Sequence, residues 1–409
     1  GGGLRAARRR TSRLVLGGVL TTAVATGVLA TPVGSDLRGD AAPVAARAPW
    51  SAVSSSVEEP APRRSPGGTG TGSIPAATAE SPAAVAPESE RPPAPPPAVS
   101  SRPPMAATVA SPAACAGGGR SVMRPHAAGT VLSAQWKASA PAADVTYDLD
   151  GVVSTAFPST EHPFNTGTGT PGVRTCVVGG ELRGTVDPGR SWEWFHDQAN
   201  AACVKVVAIE WLQIHGTRCD GVEDGFRPQE GEANSNRTTF GISGTYLTDV
   251  ADDCLENDYT LGGVLRDNLW ESCFTGISER PSSNNGTWTS PADETLVLDR
   301  MLIGLRSMPH DSDKGVGPNA LFKWSTSANK VVIRCSTFFV PQVSVNGTDT
   351  MAIPAGTVVD DSACPNNPST IVWTGGGDYP APTAGIRVVT DRGVWDRAVA
   401  NWKAAHGHA

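Results

Sequence analysis

Several signatures of common protein classes are missing from this chain. Acidic residues outnumber basic ones and the formal net charge is −7, so no basic patch indicates a nucleic-acid-binding protein. No Gly-x-Ser-x-Gly motif, phosphate-binding loop or dinucleotide fingerprint occurs. No two of the 8 cysteines are as close in sequence as the ligands of a zinc site. The sequence therefore gives no support to a nucleotide-binding protein, a serine hydrolase or a zinc protein.

Aromatic and β-branched residues are scarce over 31–121, where Ala, Pro, Ser and Gly dominate. Such a composition buries too little apolar surface to offset the entropy of ordering, which predicts a disordered linker. Before it, a basic segment at 5–13 precedes an apolar run at 14–30, and this order predicts a secretory signal peptide over 1–30. An uncleaved membrane anchor is the alternative, because the run is close to the shortest membrane span. We expect a secreted or cell-surface protein.

The apolar residues further along follow a repeating spacing. A second apolar residue follows the first after five positions, and a third follows after eight more. Equivalent residues are 32, 33, 22, 33 and 36 positions apart, and intervals of this size indicate a solenoid. The residues that show the spacing are Val177–Leu182, Ile209–Ile214–Val222, Ile242–Leu247–Leu255, Val264–Leu269–Ile277, Val297–Leu302 and Ile333–Phe338. Their segments are short and β-branched, which predicts stacked parallel strands.

The 22-residue interval resembles one bare coil of a right-handed parallel β-helix, and the longer intervals resemble the same coil with an inserted loop. In this respect the chain is similar to the pectin-lyase-like superfamily, a resemblance that implies an all-β fold. We expect the β-helix over 122–389, as a monomer with roughly seven to nine coils.

The segment 390–409 has a helical pattern instead. Thr390 or Asp391 can act as the N-cap. An apolar stripe at helical spacing follows, formed by Val394, Trp395, Ala398, Val399 and Trp402. We expect an amphipathic helix that folds back over the last coil and covers it.

An even number of cysteines after a signal peptide is consistent with disulfides. The pairs expected are Cys335–Cys364 and Cys176–Cys203. Cys219, Cys254 and Cys273 fall at similar positions of consecutive coils, so two of them can pair and the third can stay buried.

Carboxylates follow the repeat strands. In the alignment set by the apolar spacing, Asp220 is equivalent to Asp253 and Glu223 is equivalent to Glu256. Equivalent residues of neighbouring coils lie about 4.8 Å apart. We therefore expect Asp220 beside Asp253 and Glu223 beside Glu256.

With Asp224, Asp252 and Asp258, these residues form a dense group of like charges, which raise one another's pKa or require a cation. Three outcomes remain open. A calcium ion could bind to oxygen ligands, namely Asp220, Glu223, Asp253 and Glu256. Two carboxylates could instead act as acid and base on a glycosidic bond. Alternatively, some of them could point outward and be solvated.

The order Asp220-Gly221 and then Asp252-Asp253-Cys254 is similar to glycoside hydrolase family 28, the polygalacturonases. That family carries Asn-Thr-Asp-Gly, Asp-Asp-Cys, Gly-His-Gly and Arg-Ile-Lys segments on successive coils. The resemblance implies Asp220, Asp252 and Asp253 as catalytic carboxylates. The sequence departs from the family at Phe274-Thr275-Gly276, which stands in place of Gly-His-Gly, and Arg-Ile-Lys has no counterpart.

Polysaccharide lyases with a β-helix fold are a second resemblance. They hold Ca²⁺ on acidic residues and use Arg or Lys as a base, which here implies Arg227, Arg280 or Lys323; ordinary salt bridges are the alternative role for these side chains. The histidines, among them His196 and His310, have no nucleophile at a recognisable spacing. We interpret them as surface or loop residues.

Together these patterns predict a secreted β-helix protein that recognises or cleaves an acidic extracellular polysaccharide, as a hydrolase or a lyase. The candidate catalytic residues are Asp220, Asp252, Asp253, Glu256, Arg280 and Lys323. The competing hypothesis is a non-catalytic surface protein whose carboxylates are structural or bind a cation.

Overall fold

The computed structural model describes residues 115, 121–138, 143–155, 162–166, 174–208, 211–230, 239–280, 294–311, 314–325 and 329–408. They fall within one compact unit, Pro97–Ala409. The predicted signal peptide, 1–30, lies outside the described residues. So does the predicted linker, 31–121, apart from Cys115 and Ser121.

The strands form a parallel solenoid in which 23 strands belong to one hydrogen-bonded network. Parallel pairing arranges them in three columns, with the strands numbered in chain order. The first column contains β1 (Ser121–Met123), β4 (Val145–Ser154), β6 (Arg174–Arg183), β8 (Trp211–His215), β11 (Thr239–Ser243), β14 (Gly262–Arg266), β16 (Thr295–Asp299), β21 (Lys330–Arg334) and β23 (Val358–Val359).

The second column begins with β2 (Val131–Leu132) and the later parts of β4 and β6. It continues with β9 (Arg218–Asp220), β12 (Tyr246–Thr248), β15 (Leu269–Glu279), β17 (Leu302–Leu305), β22 (Thr337–Val340), β24 (Thr370–Trp373) and β25 (Arg387–Val389). The third column contains β3 (Trp136–Ala138), β5 (Phe164–Thr166), β7 (Ala202–Ala208), β10 (Asp224–Glu230), β13 (Val250–Glu256), the later part of β15, and β20 (Ala320–Trp324).

In the described part of the chain, three helices and one antiparallel strand pair lie outside the columns. They are helix α1 (Trp192–Gln198), helix α2 (Arg392–His406), a 3₁₀ helix (Thr348–Met351), and an antiparallel pair formed by β18 (Met308–Pro309) and β19 (Val316–Gly317). The predicted all-β class and the parallel solenoid are therefore confirmed.

In five consecutive coils, beginning with the one that contains β8, the chain turns from the first column to the second at one residue with a left-handed backbone. In two coils this residue is glycine, namely Gly216 with φ 67° and Gly244 with φ 59°, and glycine adopts this conformation without a steric penalty. In the next coils the same corner is formed by Asp267, Arg300 and Cys335, all with positive φ. The corner fixes the direction in which each following strand leaves.

The apolar repeat predicts core positions correctly in part. Val177, Ile242 and Ile333 point into the core, as expected. Their neighbours in the ladder are Ile214, Leu265 and Leu298. The predicted positions Val264 and Val297 pair with each other. Each lies one residue before the core residue of its strand, Leu265 or Leu298, and outside the main core cluster. A one-residue shift reverses the face of a strand, and two adjacent apolar residues conceal that shift in the sequence.

The same shift occurs in the second column, where Leu247 pairs with Trp270 and not with the predicted Leu269. The expected equivalence of Ile209 is wrong as well, because Ile214 pairs with Ile242; Ile209 itself lies outside the described residues. The third predicted position is confirmed where Leu255 pairs with Ile277.

All eight cysteines form disulfides, and no free cysteine occurs. The pairs are Cys115–Cys176, Cys203–Cys219, Cys254–Cys273 and Cys335–Cys364. The expected Cys335–Cys364 bond is confirmed, and the expected Cys176–Cys203 bond is wrong. Cys203 in β7 bonds instead to Cys219 in β9, 16 residues further on, and Cys176 bonds to Cys115.

Helix α2 confirms the expected C-terminal helix, and the Asp391 side chain accepts a hydrogen bond from the Gly393 N–H at 2.8 Å. It does not simply cover the last coil, however. Its apolar face packs along the outer side of the second column, against Tyr246, Leu269, Leu302, Phe339 and Val372. The helix therefore contacts second-column strands of several coils.

Candidate active site

Asp224, and not Asp220, lies beside Asp253. Phe226 pairs with Leu255, and the Asp253 backbone N–H donates to Asp224 Oδ1 at 3.0 Å. Asp220 ends a strand of the second column, where it accepts a hydrogen bond from Thr248 Oγ1 at 2.7 Å. The predicted stacking of Asp220 on Asp253 is therefore wrong, because the apolar spacing placed this coil in the wrong register.

The carboxylates converge at the start of two third-column strands. Asp224, Asp252 and Asp253 each offer an oxygen, and these oxygens lie within 4.8 Å of one another. Glu223 adjoins them, because its carbonyl oxygen accepts the Asp252 N–H at 2.7 Å. We use the name acidic cluster for Glu223, Asp224, Asp252, Asp253 and Glu256. The first four of these residues are 1–5% exposed, whereas the Glu256 side chain is 19% exposed and forms the solvent-accessible part of the cluster.

A glycine after Asp224 permits this close approach. A Cβ at Gly225 would lie 2.5 Å from the Cys254 carbonyl oxygen and equally close to Leu247 Cδ1. Real side chains do not tolerate such contacts, so only glycine fits between these two coils. Gly276 occupies a similar position one coil on, where a Cβ would lie 2.7 Å from the Leu321 carbonyl oxygen.

Two cations neutralise part of the acidic cluster. Arg227 contacts Asp224 and Glu256 directly, and its Nη2 lies 3.7 Å from Glu223 Oε2. Lys323 Nζ lies 3.1 Å from Asp253 Oδ2 and 4.0 Å from Asp252 Oδ1. Lys323 was predicted as a charge partner or a base, and the structure places it at this site.

Three carboxylic acids of the cluster have a raised pKa, which favours their protonated forms. Burial raises the pKa of Glu223, Asp252 and Glu256 well above the usual range. Neighbouring carboxylates add to the shift, chiefly Asp224 beside Glu223 and Glu256, and Asp253 beside Asp252. A buried carboxyl group next to an ionised one keeps its proton because two negative charges would repel.

Asp224 is the exception. Burial acts to raise its pKa, but the Arg227 guanidinium and hydrogen bonds from Glu223, Glu256 and the Asp253 N–H outweigh burial and lower the pKa below the usual value. Arg227 and Lys323 shift in the matching direction: burial opposes their charge, yet the adjacent carboxylates raise the pKa of both. The site thus combines three carboxyl groups of raised pKa with one, Asp224, whose pKa is lowered.

Helix α1 closes one side of the acidic cluster. Ser191 caps its first turn, and Phe195 is fully buried beneath it. The helix presents His196 so that Nδ1 lies 3.5 Å from Glu223 Oε1, and the Trp192 ring stacks on His196 at 4.9 Å. The sequence interpretation missed His196, because it belongs to a helix inserted between strands and shares no spacing with the carboxylates.

Two other predicted site residues, Arg280 and Asp220, lie outside the acidic cluster. Arg280 is exposed just past the end of β15, two residues beyond Ser278, which pairs with Glu256. The expected calcium ligands are not all assembled, because Asp220 lies in a different column from Glu223, Asp253 and Glu256.

Two other groups have donor atoms close enough to meet at one cation. They are Asp224–Asp252–Asp253 and His196–Glu223–Asp252. Within them, Glu223 Oε2 and Asp252 Oδ1 are buried without a hydrogen-bond partner in the described part of the chain.

The chain matches no known protein family, no curated protein and no solved structure. In the part of the chain that the structure describes, no helix is both long and apolar enough to span a bilayer.

Proposed function

We propose that this protein is a secreted glycoside hydrolase that cleaves an acidic extracellular polysaccharide on a right-handed β-helix of the pectin-lyase type. The three columns of parallel strands support that fold, since parallel crossovers are almost always right-handed. Four disulfides support an oxidising extracellular compartment. Function does not follow from fold, so the remaining support comes from the acidic cluster.

One observation carries the proposal: Asp224, Asp252 and Asp253 bring three carboxyl groups within 4.8 Å of one another on two adjacent coils. Glycosidic bonds are cleaved by a protonated carboxylic acid and an ionised carboxylate acting together. Environments that separate the pKa values of neighbouring carboxyl groups assign these two roles. In the proposed reaction Asp252 protonates the leaving oxygen, and Asp224 activates water or attacks the sugar.

The register also improves the resemblance to the polygalacturonases. Asp224-Gly225 stands where Asp220-Gly221 was expected, one coil before Asp252-Asp253-Cys254. The missing Gly-His-Gly segment remains a departure. His196 reaches the same cluster from helix α1, so an imidazole is nevertheless available there.

A lyase is the weaker enzyme hypothesis. Its base must lose a proton before it can abstract one from the sugar, yet Arg227 and Lys323 are each bound to carboxylates that stabilise their charged forms. Arg280, the other predicted base, is exposed outside the cluster. No described cation of the cluster is thus suited to act as a base.

Product analysis tests the proposal. The full chain is incubated with polygalacturonate and with other acidic polysaccharides, with and without Ca²⁺. We expect shorter chains with saturated reducing ends. Unsaturated ends that absorb in the ultraviolet would show a lyase instead and overturn the assignment of Asp252.

A non-catalytic, calcium-binding surface protein is the second candidate. Glu223 Oε2 and Asp252 Oδ1 favour it, because they accept no hydrogen bond in the described part of the chain and carboxyl oxygens are the ligands that Ca²⁺ prefers. In that case no polymer is cleaved. The protein treated with a chelator then has a lower melting temperature than the same protein after Ca²⁺ is added.

A further inference from the structure

A row of polar side chains lies on the outer face of the third column and extends across successive coils. Pairing places Lys137 beside Asn165, Asn165 beside Lys205, and Lys205 beside Arg227. The residues just before them point into the core, namely Trp136, Phe164, Val204 and Phe226. Side chains alternate along a strand, so the row faces outward. We use the name cationic row for Lys137, Asn165 and Lys205.

The cationic row ends at the acidic cluster. Arg227 is the next residue along it, and Arg227 contacts Asp224 and Glu256. Neighbouring strands of a sheet are about 4.8 Å apart, so Lys137 and Lys205 are about 10 Å apart along the solenoid. An extended polymer that occupies the acidic cluster therefore passes the row if it follows the solenoid axis.

The positive charges of the row are not compensated within the described protein. Neither Lys137 nor Lys205 forms an ion pair with another described residue. The charge of Glu256 acts to raise the pKa of Lys205, but Arg227 already contacts that carboxylate. Burial lowers the pKa of Lys205, and the charges of Arg227 and Lys137 lower it further. Repulsion of this kind persists in the free protein unless an anion approaches.

We propose that the cationic row is a binding track for the uronate carboxylates of a polysaccharide, so that the substrate lies along the solenoid with its acidic units over Lys137 and Lys205. The inference rests on the proposed function in one respect, namely that the bound polymer is the one the acidic cluster cleaves. Asn165 lies between the two lysines, where its amide can both donate to and accept from sugar hydroxyls.

Binding is measured with the full chain, polygalacturonate as the probe, and a neutral dextran of equal length as the comparison. We expect polygalacturonate to bind and dextran not to bind. Lys205→Gln should weaken polygalacturonate binding about fivefold, in line with one partly exposed ion pair, and should reduce the dependence on salt. Lys330→Gln is the matched control, because Lys330 is an exposed lysine of the first column.

A second measurement keeps the test valid if folding changes. Without ligand, Lys205→Gln removes the repulsion of Lys205 by Lys137 and Arg227. The melting temperature of the variant should therefore equal or exceed that of the wild type. Weaker binding together with a lower melting temperature would mean that Lys205 is structural, and this would overturn the inference. Equal losses for Lys205→Gln and Lys330→Gln, or equal binding of a sulfated polymer, would overturn it too.

Failure of the inference and failure of the proposed function give different results. Polygalacturonate that binds through Lys205 but is never cleaved supports the track and contradicts the hydrolase. Polygalacturonate that is cleaved at unchanged affinity by Lys205→Gln supports the hydrolase and contradicts the track.

Discussion

The acidic cluster shows how a few contacts give identical side chains opposite roles. Asp224 and Asp252 are both almost fully buried. Asp224 contacts Arg227 directly, whereas the nearest cation to Asp252 is Lys323 at 4.0 Å. The difference in contact lowers the pKa of Asp224 and leaves that of Asp252 raised, since an isolated buried carboxylate is far less stable than its protonated form.

The proposed cleavage has a pH dependence that follows from these two residues. The proposed reaction requires ionised Asp224 and protonated Asp252. The pKa of Asp224 is lowered and that of Asp252 is raised, so kcat/KM should have a broad plateau. It should fall at low pH as Asp224 gains a proton and at high pH as Asp252 loses one. Initial rates over a pH series check this. A rate that rises steadily into the alkaline range would contradict the assignment, because that is the behaviour of a cationic base.

Glu279, a buried glutamate outside the acidic cluster, makes the free energy of unfolding depend on pH. Burial raises the pKa of Glu279 to about 8, although Asn257 and Asn329 donate hydrogen bonds to its carboxylate. The folded state therefore holds the proton more tightly than the unfolded state. Its stabilising contribution is complete below the unfolded pKa, decreases by about 1.4 kcal/mol per pH unit between the unfolded and the folded pKa, and is lost above the folded value.

Glu279→Gln should flatten this dependence, because the amide does not titrate. The free energy of unfolding, measured by urea titration near pH 5 and above pH 8, should fall less for the variant than for the wild type. An equal fall in both proteins would mean that Glu279 is already ionised in the folded state.

At the scale of elements, helix α2 stabilises the outer side of the second column. Trp402 is 6% exposed and its Nε1–H donates to the Asp267 carbonyl oxygen at 3.1 Å. Trp402→Ala should cost about 3–5 kcal/mol of unfolding free energy, as for other buried tryptophans. Arg397→Ala on the exposed face of α2 is the control and should stay within about 0.5 kcal/mol. Equal stability of the two variants would show that α2 is not part of the cooperative fold.

The helix was predictable from its stripe and its N-cap, but its position was not. An apolar stripe shows that a surface must be covered, yet it does not identify that surface. Here the covered surface includes Leu269 and Leu302, which point outward because the neighbouring Trp270 and Ile303 occupy the core. Two adjacent apolar residues satisfy either register, so spacing alone could not reveal it.

For the whole molecule, the sequence was sufficient for the solenoid and insufficient for the site. Repeat intervals report the length of a coil, and each coil contacts mainly its neighbours. The site depends on the residues that turn between columns. The second-to-third column distance is seven residues from Cys219 to Phe226 and eight from Leu247 to Leu255, the residues that pair between these coils. The larger cause is the alignment itself, which set Ile214 equivalent to Leu247, whereas Ile214 pairs with Ile242, five residues earlier. Together the two effects place Asp224, four residues after Asp220, beside Asp253. His196 belongs to an insertion with no repeat position.

The comparison of Asp224→Asn with Asp220→Asn tests the central claim most directly. Each variant removes one carboxylate. The two positions are four residues apart, and only Asp224 belongs to the acidic cluster. On a polysaccharide that the wild type cleaves, Asp224→Asn should lower kcat by at least about a hundredfold, the usual contribution of a general acid or base. Asp220→Asn should keep nearly full activity. A loss confined to Asp220→Asn, or no loss in Asp224→Asn, would contradict the proposed site.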